Sequence, residues 1–147
     1  MQPVAWTLLA VALALVALTH GQLRALRPSF LAPQFAWRRS AFDAIVARWT
    51  APQRAAYRFW LRVDFVTLAC YGGFGWLWSN GVGAAGWCAF ALPAAATADA
   101  VENVLHLRLT GPDRSSAGDA PYRIAGAASA LKFGLVAAFV LGAVSGR

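Results

Sequence analysis

One stretch of the chain constrains everything around it: Ala95-Ala-Thr-Ala-Asp99-Ala-Val-Glu102-Asn103-Val-Leu-His106-Leu-Arg108. It continues an apolar run, yet it carries two carboxylates, a carboxamide and an imidazole. At about 3.6 residues per helical turn, positions i, i+3, i+4 and i+7 share a face, so Asp99, Glu102, Asn103 and His106 form one polar stripe. A carboxylate at the centre of a bilayer costs about 2.5–3.5 kcal/mol on insertion scales. A helix of this kind is tolerated in hydrocarbon only with its stripe turned toward protein or water.

Hydrocarbon is the expected solvent. Of 147 residues, 59% are apolar and 13% charged, and the mean hydropathy is +0.52. In lipid the backbone must satisfy its own hydrogen bonds, which favours helices. The expected fold is therefore all-α: an integral membrane four-helix bundle in a single domain. The net charge of +7 does not point to nucleic acid. Every cation except Lys132 is arginine, and the arginines flank the apolar runs, where they orient spans and contact anionic lipid headgroups. Arginine over lysine, with abundant Ala and Gly, suggests a GC-rich bacterial genome and a multi-pass protein of the bacterial cytoplasmic (inner) membrane.

Spans are expected at about residues 3–19, 59–78, 82–109 and 124–144. The first lacks a basic leader and a good cleavage site at Ala17-Leu-Thr-His20, so it reads as a retained helix. The connection Gly21–Arg58 holds Arg24, Arg27, Arg38, Arg39, Arg48, Arg54 and Arg58 against Asp43 alone. By the positive-inside rule it is cytoplasmic, which puts both termini outside. Within it, Ser40-x-x-Asp43 resembles a capping box, and Phe42, Ile45, Val46 and Trp49 follow at helical spacing. That predicts a short interfacial amphipathic helix, lying in the headgroup plane or over the bundle mouth. Thr50-Ala-Pro52-Gln53 is a second helix start. Ser79-Asn80-Gly81 reads as a tight external turn, and Pro93 as a kink. In the last span Gly126, Ala130, Gly134, Ala138 and Gly142 recur every fourth position, as in closely packed membrane helices.

Three of the six acids and the one lysine lie inside apolar segments. Asp64 and Tyr71 share a face of the second span, while Asp99 and Glu102 sit in the third and Lys132 in the fourth. At about 1.5 Å per residue, the four ionisable groups occupy one slab about 10 Å thick in the cytoplasmic half. Asp99, being closest in depth, is the expected partner of Lys132, although Lys132 lies opposite the small-residue stripe of its own span. Asp64, Tyr71, Asp99, Glu102, Asn103, His106 and Lys132 are thus the candidates for ligand binding or proton handling. Glu102 and His106 at i, i+4 have a ligand-like spacing. They lack a second His or a nearby thiolate, Cys70 and Cys88 lying in different spans, so neither a metal nor another cofactor is expected.

Val63-Asp64-Phe65 with Tyr71-Gly72, Leu92-Pro93 leading to Asp99-x-x-Glu102-Asn103, and Leu131-Lys132-Phe133 together resemble a functionally uncharacterised family of small bacterial four-span membrane proteins. The resemblance covers the second to fourth spans, and Asp-x-x-Glu-Asn is its most specific part. Two departures are Thr67-Leu68, where the family often has an aromatic-Pro pair, and Phe133, where Trp often follows the Lys. The resemblance implies the four-span fold and the polar site but no reaction.

Three function classes remain open on sequence. The charges can be polar glue in a structural or accessory subunit. They can line a lipid or small-molecule site, with or without catalysis. They can also be a proton or ion relay, in a homo-oligomer or a larger membrane complex. Topology is testable directly: a cysteine placed at Ser29 should be shielded from an impermeant thiol reagent in intact cells, and one placed at Gly83 should be labelled. The opposite pattern overturns the orientation.

Overall fold

A computed structural model of the chain describes residues 1–84, 86–111 and 118–145. Among them are five α-helices: α1 (Gln2–Leu23), α2 (Arg39–Ala47), α3 (Ala51–Val82), α4 (Cys88–Leu109) and α5 (Ala120–Ser145). A single 3-10 turn, Ala32–Phe35, precedes α2, and no strand occurs among the described residues. Two helices, α1 and α5, are long and apolar enough to cross a membrane. The four long helices form an antiparallel series in which α1 packs on α3, α3 on α4 and α4 on α5. No comparable packing joins α1 to α5.

Local chemistry explains most boundaries. Thr50 and Gln53 form a reciprocal capping box: Gln53 Oε1 accepts from the Thr50 amide at 2.8 Å, and Thr50 Oγ1 from the Gln53 amide at 3.4 Å. Helix α3 does not stop at Trp78. Ser79-Asn80-Gly81 belongs to its last turn, where Asn80 Nδ2 donates back to the Trp76 carbonyl at 2.7 Å. The reversal comes at Gly83, whose φ of 65° is left-handed and suits glycine. Helix α4 accordingly starts at Cys88 rather than Val82, and it runs through Pro93 without a break. The Thr97 hydroxyl donates to the Pro93 carbonyl at 3.0 Å.

The short amphipathic helix exists, but Ser40 does not cap it. Arg38 is the cap residue, and the Arg39 amide donates to Asp119 Oδ1 at 3.2 Å, from the start of α5. Asp43 pairs with Arg39 instead, at 3.4 Å. Phe42, Val46 and Trp49 are buried, and the Phe42 ring lies against His106 and Tyr122. The apolar face of α2 is therefore spent on protein, closing one end of the bundle. All described arginines gather at or beyond that same end: the C-termini of α1 and α4 and the N-termini of α3 and α5.

The small-residue stripe of α5 packs only at its ends: Gly126 is buried against Trp37, and Gly142 lies against Trp87 and Cys88. Ala130 and Gly134 are exposed, whereas Tyr122, Ala125, Ser129, Lys132 and Phe139 are buried. Close approach is built on α3 as well: a Cβ on Gly75 would meet Leu92 Cβ of α4 at 2.5 Å. Gly75→Ala should therefore lower stability by about 1–3 kcal/mol through overpacking. Gly134→Ala, with nothing within 4 Å, should be neutral or stabilising by up to about 1 kcal/mol. Thermal unfolding of the two variants side by side checks this.

Candidate functional site

The polar stripe of α4 is buried along its length: Asp99, Glu102, Asn103 and His106 are each at most 8% exposed. It sits at the centre of the helix series, so its two flanks reach different partners. Toward α5, Lys132 Nζ lies 2.8 Å from Asp99 Oδ1 and 2.7 Å from Glu102 Oε2. One ammonium therefore bridges two carboxylates spaced i, i+3. Toward α3, Asn103 Nδ2 donates to Asp64 Oδ2 at 2.8 Å, and the Tyr71 hydroxyl to Asp99 Oδ2 at 3.4 Å. His106 is fully buried. Its Nδ1 is 2.9 Å from the Tyr57 hydroxyl and 3.8 Å from Glu102 Oε1.

All seven sequence-derived residues thus lie along α4 and its two neighbours in two linked groups, Asp64 with Asn103, and Tyr71, Asp99, Lys132, Glu102 and His106 in a chain. The expected Lys132–Asp99 pair forms, with Glu102 as a second partner. Ser129 and Ala125 explain how: on the buried face of α5, one and two turns before Lys132, they let α4 come close enough for the ammonium to reach across. Reading the fourth-residue stripe as the interface would have turned Lys132 away from α4. Tyr57 was missed. It stands seven residues before Asp64, as Asp64 stands before Tyr71, so the three share one face of α3. That spacing was visible, but Tyr57 precedes the apolar part of the helix.

Beside the set lies a cavity of about 310 Å³, between α1 and α5 and capped by Phe30, Leu31 and Gln34 of the first connection. Its polar wall includes Asp64, Tyr71, Asp99, Asn103 and Lys132. Its apolar wall includes Val16 and Leu23 from α1, Trp60 and Leu61 from α3, and Phe133 and Val136 from α5. Glu102 and His106 stay behind that wall as support. Gln34 Oε1 is buried with no hydrogen-bond partner among the described residues. Among those residues no group of three or more His, Cys, Asp or Glu side chains is arranged to hold a metal ion. The arrangement can bind, orient and neutralise a polar group attached to an apolar body.

No family model, curated protein or solved structure matches this chain.

The two-carboxylate bridge makes a quantitative expectation. Removing one partner of a buried pair strands the other charge, at about 3–5 kcal/mol. Lys132→Met should cost about that much in detergent. Asp99→Asn alone should restore part of it, and Asp99→Asn with Glu102→Gln most of it. Strictly additive losses in thermal or denaturant unfolding would mean that the charges do not meet.

Proposed function

We propose that the chain is a four-span protein of the bacterial cytoplasmic membrane that binds a lipid or small amphiphile between α1 and α5. Helices α1, α3, α4 and α5 are the spans, both termini are outside, and the arginine-rich end faces the cytoplasm and its anionic headgroups. The outer faces of the helices support the span count. Besides α1 and α5, α3 exposes Phe59, Phe65, Val66 and Trp76, and α4 exposes Phe90, Val101 and Val104. Such surfaces are stable against lipid and costly in water. Helix α1 has only Ala5, Ala12 and Leu23 buried, as suits a helix mostly wrapped in hydrocarbon.

The observation that carries the binding reading is the cavity itself. Charges that serve only to hold helices together need to face one another. Here Asp64, Asp99 and Lys132 also line a space of about 310 Å³ with apolar walls, at the small end of the usual range for ligand sites. Because α1 and α5 are not packed together, the space opens between them, where a tail can extend into the bilayer while its head meets the charges.

A lipid extract should decide this. Val16→Trp fills the cavity from the exposed side of α1 without touching a charge. Mass spectrometry of amphiphiles retained through purification should show one species near stoichiometric with wild type and depleted about tenfold with Val16→Trp, at similar thermal stability. Equal retention would mean that the lipid is bulk annulus, and would reject the reading.

A further inference from the structure

Resting on that reading, we infer that the ligand's head presents an ammonium: the cavity takes an ammonium-bearing lipid, its ammonium held between Asp64 and Asp99. The argument is charge balance in a place that water does not relieve. Three carboxylates, Asp64, Asp99 and Glu102, share one ammonium, Lys132. Glu102 and Asp99 take that ammonium at 2.7 and 2.8 Å, so the positive charge is committed to the α4–α5 side. An anionic head would have to compete with two carboxylates already in contact.

The hydrogen bonds to Asp64 come from neutral groups, the Asn103 amide at 2.8 Å and the Thr67 hydroxyl. The arginines nearest in sequence do not supply the missing charge. Arg58 donates to the Leu107 carbonyl and the Thr110 hydroxyl, and Arg62 points outward and is exposed. The second oxygen of Asp99 receives only the long Tyr71 contact of 3.4 Å. Gln34 Oε1, over the mouth, is a further buried acceptor without a donor. Thr19, His20, Tyr57 and Asn103 also line the wall, but Lys132 is its one fixed positive charge among the described residues, against the carboxylates of Asp64 and Asp99. The rings of Trp60 and Tyr71, also on the wall, add faces that attract cations. The apolar walls between α1 and α5 accommodate a tail, which favours a lipid over a free amine.

Native mass spectrometry of the full chain in a neutral detergent tests this with three lipids of identical acyl chains. These are phosphatidylethanolamine, its N-acetyl derivative, in which a neutral amide replaces the ammonium, and phosphatidylglycerol. Free ethanolamine is the tail-less competitor. The expected result is that phosphatidylethanolamine binds at least about tenfold tighter than the other two, and that Asp64→Asn or Val16→Trp removes that preference. Two variants guard against misfolding, since Val16→Trp keeps every charge.

Equal binding of the N-acetyl lipid, with loss in Val16→Trp, overturns the ammonium head but leaves the binding site standing; a proton then balances the carboxylates. Preference for phosphatidylglycerol overturns it in favour of Lys132 as an anion site. Displacement of the lipid by equimolar ethanolamine overturns the lipid assignment in favour of a soluble amine. Binding that is indifferent to lipid and variant alike overturns both the head and the site.

Discussion

The fold depends on one ammonium shared by two carboxylates. Lys132 of α5 touches Asp99 and Glu102 of α4 at hydrogen-bond distance, where each group is at most 8% exposed. Isolated, any of the three would be expensive to bury, so each is tolerated only with the others in place. The pairing fixes the rotation and depth of α5 against α4 in a way that apolar packing does not. A misaligned α5 would leave charges stranded, and that penalty is what makes one register preferred.

Helix α4 then organises the remainder because its stripe has two sides. One side meets Lys132, and the other meets Asp64, Tyr71 and Tyr57 of α3 through Asn103, Asp99 and His106. Glycines 72 and 75 of α3 allow the approach that these contacts need, lying directly against Pro93, Ala96 and Leu92. Two apolar clusters bracket the polar layer. Near the arginine-rich end, Phe42, Val46, Trp49, Tyr57 and Tyr122 close over His106; at the far end, Ala5, Phe74, Leu92 and Phe139 pack together. The polar layer is thus shielded above and below and opens sideways, into the space between α1 and α5.

That sideways opening is a consequence of chain order. Helix α1 packs along α3 and α5 along α4, and beyond the apolar cluster at the far end the two outer helices of the series face each other across a gap. The segment between α1 and α2 roofs the gap at one end with Phe30, Leu31 and Gln34, and it is tied down by the Trp49 indole, which donates to the Pro28 carbonyl at 2.9 Å. Scaffold and site are therefore the same set of residues. Glu102 and His106 hold the helices, while Asp64, Asp99, Tyr71, Asn103 and Lys132 hold them and also face the cavity.

The sequence by itself determined the all-α character, the grouping of the arginines and the identity of the polar set. These depend on local or one-dimensional properties: apolar runs, charge placement, and residue types at helical spacing. The Thr50–Gln53 cap was legible for the same reason, since its hydrogen bonds join neighbours in the chain. What lay beyond it were choices made by distant partners. Ser40 looked like a cap, but Asp119, far along the chain, serves the first turn of α2. Ser79-Asn80-Gly81 looked like a turn, yet the helix persists to Gly83, the residue that takes the left-handed conformation. The Gly126–Gly142 stripe looked like one continuous interface, yet only its ends pack, while Ala130 and Gly134 are exposed because Lys132, on another face, meets the two carboxylates of α4. Only the tertiary structure decided that Glu102 joins Asp99 on Lys132, that Tyr57 closes on His106, and that a cavity lies beside them. Each depends on the separation and rotation of whole helices, which hydrophobic periodicity leaves free and paired charges specify.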